Sequence, residues 1–138
     1  MSSYIGGDLR KLVTIRAAFL CEYCLIHEID TNYGCQVDHI IILKHDGKTT
    51  PENLAYACVF CNRHKGTDVG SIVWPTQQFI RFFNPRTDCG LIILKWMGSY
   101  SPFDRYRESN CANFGFNHSV RILERQILMA IGKYPSSM

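Results

Sequence analysis

VDHIII, residues 37–42, has the outline of a buried β-strand with a polar pair set into it. Val37, Ile40, Ile41 and Ile42 are β-branched residues that suit a half-buried pleated surface. Asp38 and His39 are residues such a strand avoids. Taking an ionised carboxylate out of water costs roughly 3–5 kcal/mol unless it is paired or bound to a metal. The fold and the chemistry of the chain both turn on what justifies that pair.

Working outward, the stretch is bracketed by Cys21-Glu-Tyr-Cys24 and Cys58-Val-Phe-Cys61, with 33 residues between them. Two such knuckles suit a tetrahedral Zn2+ held by four thiolates at about 2.3 Å. The intervening stretch is longer than in a simple zinc ribbon, so the metal staples the base of an inserted unit. Four thiolates fill the coordination shell and leave no position for water, so this zinc is structural. Thioredoxin-like redox chemistry would need a Cys-x-x-Cys at the strand-to-helix junction of a βαβ unit, and the sequence supplies none. The total of seven cysteines is odd, which argues against a secreted disulfide scaffold. Cys35, Cys89 and Cys111 follow no ligand spacing and read as small buried hydrophobes.

The rest of the chain sets bounds. At 138 residues it is read as a single domain, 1–138, with a core of its own. A composition of 46% hydrophobic and 20% charged residues is that of a globular protein. The first twenty residues mix acidic and basic groups into their apolar pattern, which fits neither a signal peptide nor a membrane span. The expectation is a cytoplasmic protein with no membrane partner. A net charge of +3 is too small to demand a polyanionic partner by itself. Residues 81–138, however, carry eight Lys and Arg against four Asp and Glu, compatible with phosphate contact or with a solvated surface.

Apolar Leu9, Leu12, Val13, Ile15, Ala17 and Leu20 recur at roughly helical spacing from Asp8, the candidate N-cap, to about Leu20. Residues 35–42 read as a strand. Residues 44–53 are a loop carrying the Asp46-Gly47 turn pair, and 53–58 a short strand or helical turn. A short helix follows Cys61, to about Gly66. IVWP (72–75) and QFIRFF (78–83) look extended, Asn84-Pro85 is a break, 91–97 (LIILKWM) is a buried strand and 98–116 a loop. The closing helix places Val120, Leu123, Ile127 and Ala130/Ile131 on one face, with Asn117 as N-cap, His118 at its surface and Gly132 as stop.

Between the knuckles lie Asp38, His39, Asn53 and, directly after Cys61, Asn62. Each alone is an ordinary cap, turn or surface residue; together they suggest one site for metal-assisted phosphodiester hydrolysis. A hard ion such as Mg2+ takes oxygen ligands and keeps several waters. Asp38 and Asn62 would supply two of those ligands, and the ion would stabilise charge on the phosphoryl group and the leaving oxygen. His39 would be the general base on the attacking water, work that suits an imidazole at neutral pH. Asn53 would tie the loop to the strand and fix the His39 orientation.

The run from Arg16 through CEYC, VDHI, Gly47 and ENLAYACVFCNRHK resembles the HNH endonucleases of the ββα-metal (His-Me finger) superfamily, in the subgroup with two zinc knuckles. The resemblance implies an α+β fold. It consists of a ββα-metal HNH core over 12–70 stapled by a four-cysteine zinc site, an N-terminal helix, and a strand and helix extension over 71–138. It puts Asp38 on the metal-binding acid, His39 on the general base, Asn53 on the middle Asn and Asn62 on the second metal ligand. Structural Zn2+, catalytic Mg2+ or Mn2+, and DNA as substrate, with RNA open, come with it, for a monomer or homodimer. Lys65 matches the Lys that follows the last knuckle, and Arg63, His64 and Lys65 are the nucleic-acid contacts it suggests. On a helix, His64 lies two residues from Asn62 and faces elsewhere, so it reads as a phosphate contact or surface group. FFNPR (82–86) is similar to a segment that follows the domain in small bacterial HNH proteins. Departures are Ile42 where the family often has Pro, Asp46-Gly47 in place of Gly-Gly, and no Trp or His-Phe downstream. Two other readings compete: a non-catalytic zinc-stabilised nucleic-acid-binding module, and a thiol redox protein.

Overall fold

In a computed structural model, residues 4–73, 76–88 and 119–134 are described. The elements are α1 (Gly7–Arg16), β1 (Cys35–His39), β2 (Leu54–Cys58), α2 (Val59–Lys65), β3 (Gly70–Val73), β4 (Gln78–Arg81) and α3 (Ser119–Ala130). The two sheets are antiparallel pairs, β1 with β2 and β3 with β4. Helices and small antiparallel sheets make the fold α+β, as the sequence implied. The expected strand at 91–97, the loop at 98–116, and Trp74, Pro75, Cys89, Cys111, Asn117 and His118 lie outside the described residues.

Helix α1 is shorter than the sequence suggested. It ends at Arg16 and Gly6 is its N-cap, with Asp8 in the first turn. Ala18 and Phe19 then adopt left-handed backbone conformations, which turn the chain towards the first cysteine pair and break the helical pattern. Val13 and Ala17, one turn apart, are buried with Ile5, Val37, Leu54 and Tyr56, whereas Leu12 and Ile15 face solvent. Arg16 fixes the helix to the sheet by donating to the carbonyls of Pro51 (2.8 Å) and Leu54 (2.7 Å).

The β1–β2 register pairs Cys35 with Cys58, Val37 with Tyr56, Asp38 with Ala55 and His39 with Leu54. Because side chains alternate across a strand, the two faces hold different partners. Val37, Leu54 and Tyr56 pack with α1, while Ala55 and Ala57 pack among the cysteines. The strand stops at His39, three residues short of the expected end. Beyond it Asn53 stands in for a paired strand, its Oδ1 accepting from Ile41 N (3.0 Å) and its Nδ2 donating to Ile41 O (2.7 Å). Residues 53–58, left open between strand and turn, resolve into a 3-10 turn at Pro51–Asn53 followed by β2.

Asp46 takes the left-handed conformation that Asp tolerates, and Gly47 follows. A Cβ on Gly47 would lie 1.6 Å from Ile41 O, so only glycine lets the loop fold against the strand end. Ile72 and Val73 lie in β3 and Gln78–Arg81 is β4, the two strands pairing antiparallel, and Phe82 leads back into the cysteine core.

Helix α3 reverses its sequence pattern. The apolar face of Val120, Leu123, Ile127 and Ile131 is exposed, and Arg121, Arg125 and Leu128 point inward. Gly132, in the left-handed conformation, stops the helix as expected.

Candidate metal and catalytic site

Both cysteine pairs are built as knuckles. Cys24 N donates to Cys21 Sγ (3.5 Å) and Cys61 N to Cys58 Sγ (3.4 Å), so each pair turns its sulfurs inward. The first knuckle hangs from β2 through Glu22 N, which donates to Tyr56 O at 2.8 Å. The second is the junction of β2 and α2, where Cys58 is the N-cap. All four ligand sulfurs are buried and lie within 4.8 Å of one another. The set can hold a metal ion such as zinc.

Burial pushes the Cys24 and Cys61 thiols well above their ordinary range. Hydrogen bonds from Cys21, Cys24 and Cys61 pull Cys58 far below it. Four thiolates packed this closely repel one another and would need a cation among them. Four buried sulfurs at this spacing fit the donor set of a divalent ion such as zinc, which would offset the charge of the thiolates that bind it.

Asp38 and His39 adjoin at the end of β1. Asp38 Oδ1 accepts from His39 N (2.8 Å) and lies 3.8 Å from His39 Nδ1. The far ring nitrogen, His39 Nε2, is 2.9 Å from Thr49 Oγ1. His39 is only 6% exposed, which leaves the ring little freedom. Thr49 carried no signal in the sequence; a hydroxyl ten residues downstream becomes a ring partner only once the 40–53 loop folds back.

Asn53 contacts the loop backbone, not the His39 ring. Besides its two bonds to Ile41, its Nδ2 donates to Lys48 O (2.8 Å). Its own carbonyl accepts from Ile40 N at 2.8 Å. Asn53 therefore ties the loop to the strand, and Thr49 holds the ring.

Asn62 lies on α2 and lines an open cavity of about 500 Å³ with Tyr33, Gln36, Ala57, Val59 and Arg63. Gln36 and Asp38 share a strand face by alternation, so Asp38 lies on the α2 side of the sheet. No hydrogen bond joins Asp38 to Asn62 among the described residues. Arg63 and His64 are exposed on α2, and the His64 ring stacks on Phe60 with centroids 4.3 Å apart.

Lys65 is placed differently from the expected surface contact. It is 3% exposed, and its Nζ donates to His39 O at 3.3 Å. Burial lowers its pKa, and the nearby Asp38 charge opposes that. Its ammonium faces the strand end that carries the Asp-His pair.

The segment after β4 docks on the first knuckle. Arg86 pairs with Glu22, and the Phe83 ring meets Tyr23 edge-on at 6.5 Å. Glu22 also accepts from Tyr56 N (2.8 Å), so FFNPR is fastened to the sheet through the knuckle.

Residues 21–68 match the family model for HNH endonuclease. This segment is similar to HNH endonuclease domains. Its bounds start at the first knuckle cysteine and run past the end of α2, so the HNH segment contains both knuckles, the Asp-His pair, Asn53 and Asn62. Comparison with curated proteins and with solved structures returns no match for the chain. No helix among the described residues is long and apolar enough to cross a membrane.

Proposed function

We propose that the protein is a metal-dependent HNH endonuclease that hydrolyses DNA phosphodiester bonds, with a structural zinc at Cys21, Cys24, Cys58 and Cys61. The observation that carries the reading is the His39 ring, held at Nε2 by Thr49 and beside Asp38 at Nδ1, inside the HNH segment. When Nε2 carries the proton, donated to the Thr49 hydroxyl, Nδ1 keeps its lone pair and can accept a proton from water. Asp38 and Asn62, oxygen donors from β1 and α2, are the residues for Mg2+ or Mn2+. Such an ion supplies charge stabilisation to the phosphoryl group and the leaving oxygen. Arg63 and His64, exposed on α2, provide contacts for the nucleic-acid backbone. Lys65 acts from beneath, holding the strand end through His39 O.

The near-complete burial of His39 favours one competing reading, a zinc-stabilised nucleic-acid-binding module without catalysis. The two separate cleanly. Incubation with supercoiled plasmid and Mg2+ or Mn2+ yields nicked or linear DNA if the enzyme reading holds. Salt-sensitive DNA binding without any cleavage, unchanged by loss of Asp38 or His39, supports the module.

A further inference from the structure

Helix α3 meets the rest of the chain through a cationic face. Arg121 and Arg125, four residues apart, are 4% and 0% exposed, while four apolar side chains of the helix stand in solvent. An amphipathic helix ordinarily buries the opposite set. A buried guanidinium is costly unless negative charge meets it.

At Arg121 the partners are largely sulfur. Its Nη2 lies 3.8 Å from Cys58 Sγ and 3.9 Å from Cys61 Sγ, and its Nη1 donates to Glu124 Oε2 at 3.1 Å. The guanidinium also stands 4.4 Å over the Phe60 ring, and Phe60 stacks in turn on His64. Further along, Leu128 packs in the cysteine core and Tyr134 OH donates to Cys24 O at 2.9 Å. The helix and its end therefore touch both knuckles.

Neutral thiols are weak acceptors and would leave Arg121 with only Glu124 as a counter-charge. Four thiolates around a divalent ion carry a net charge of about −2, which gives the guanidinium a reason to be there. We infer that Arg121 is the counter-cation of the metal held by the four cysteines, and that α3 docks on the knuckles only when that metal is in place. This rests on the reading of the cysteines as zinc ligands. Because Phe60 and His64 belong to the helix that carries Asn62 and Arg63, Arg121 also braces that helix from its buried side.

The full-length protein tests this by its metal content, by zinc transfer to the chelator 4-(2-pyridylazo)resorcinol, and by amide exchange. Arg121→Leu is expected to surrender zinc at least ~10-fold faster than wild type, with Arg121→Lys between the two. Stripping zinc from wild type under reducing conditions is expected to raise exchange across 119–134 by more than across α1, which packs on the other sheet face. Equal zinc retention in Arg121→Leu, or a rise no greater in 119–134 than in α1, overturns the inference. A wild-type protein that holds no zinc instead sinks the metal reading, and this inference with it. If Arg121→Leu does not fold, Arg121→Lys and the wild-type exchange comparison decide.

Discussion

His39 Nε2 lies 2.9 Å from Thr49 Oγ1, a contact made across the loop that joins β1 to β2. It engages one ring nitrogen and leaves the other, Nδ1, 3.8 Å from Asp38 Oδ1. If His39 is the base, Thr49 keeps the ring in its working orientation. Thr49→Val removes the hydroxyl at nearly constant volume, and one hydrogen bond is worth about 0.5–1.5 kcal/mol. The expected result is a roughly 2- to 12-fold loss of kcat with KM little changed. Thr49→Ser should recover most of the rate, whereas equal losses in both variants would point to packing instead of the hydroxyl.

Asn53 makes three side-chain bonds to backbone, two to Ile41 and one to Lys48. Asn53→Ala leaves those groups without their partner and should cost about 2–3 kcal/mol. Chemical denaturation reads this directly. Asn53→Asp keeps the acceptor to Ile41 N but loses both donated bonds, so it should fall at least as far as half-way to Ala. A stability equal to wild type in the Ala variant would remove Asn53 from its place as the loop's tie.

Gly47 admits no side chain, because a Cβ would meet Ile41 O and carbonyl carbon at 1.6 and 2.4 Å. Both atoms are backbone, so relief requires the loop to move off the strand end. Gly47→Ala should destabilise by on the order of 2–4 kcal/mol. It should also raise amide exchange in 41–53 more than in α1. An Ala variant that melts with wild type would contradict the tight approach of loop and strand.

Metal binding should depend steeply on pH. Burial holds the Cys24 and Cys61 thiols well above their ordinary range, so the metal-free protein keeps both protons at neutral pH. A bound divalent ion needs the thiolates, so uptake releases those protons and affinity falls as pH falls. Each proton released corresponds to about a tenfold change in affinity per pH unit. Competition against a chelator at several pH values measures the slope, and a flat profile would contradict metal binding by thiols that must lose their protons to bind.

How legible all this was in the sequence depended on range. The Cys-x-x-Cys pairs were readable because each fixes its own turn, and their meeting needs only that β1 and β2 pair. VDHIII announced its polar pair, but not that the strand stops at His39, because what replaces it is the Asn53 amide, twelve residues from Ile41. Thr49 was silent for the same reason. Helix α3 misled in a different way: its apolar spacing is genuine, yet the cysteine cluster draws Arg121 inward against that pattern. Lys65 was likewise placed by the charge and carbonyl beneath it, which sequence position does not display.

The central claim is that His39 takes a proton from water during phosphodiester hydrolysis. The most direct measurement compares wild type and His39→Ala for nicking of supercoiled plasmid in Mg2+ or Mn2+, with zinc content and thermal unfolding measured on the same preparations. The account predicts cleavage by wild type and a loss of roughly 10²- to 10⁴-fold in the variant, with zinc content and folding retained. Cleavage by a folded, zinc-loaded His39→Ala protein at the wild-type rate, or no cleavage by wild type, would contradict it.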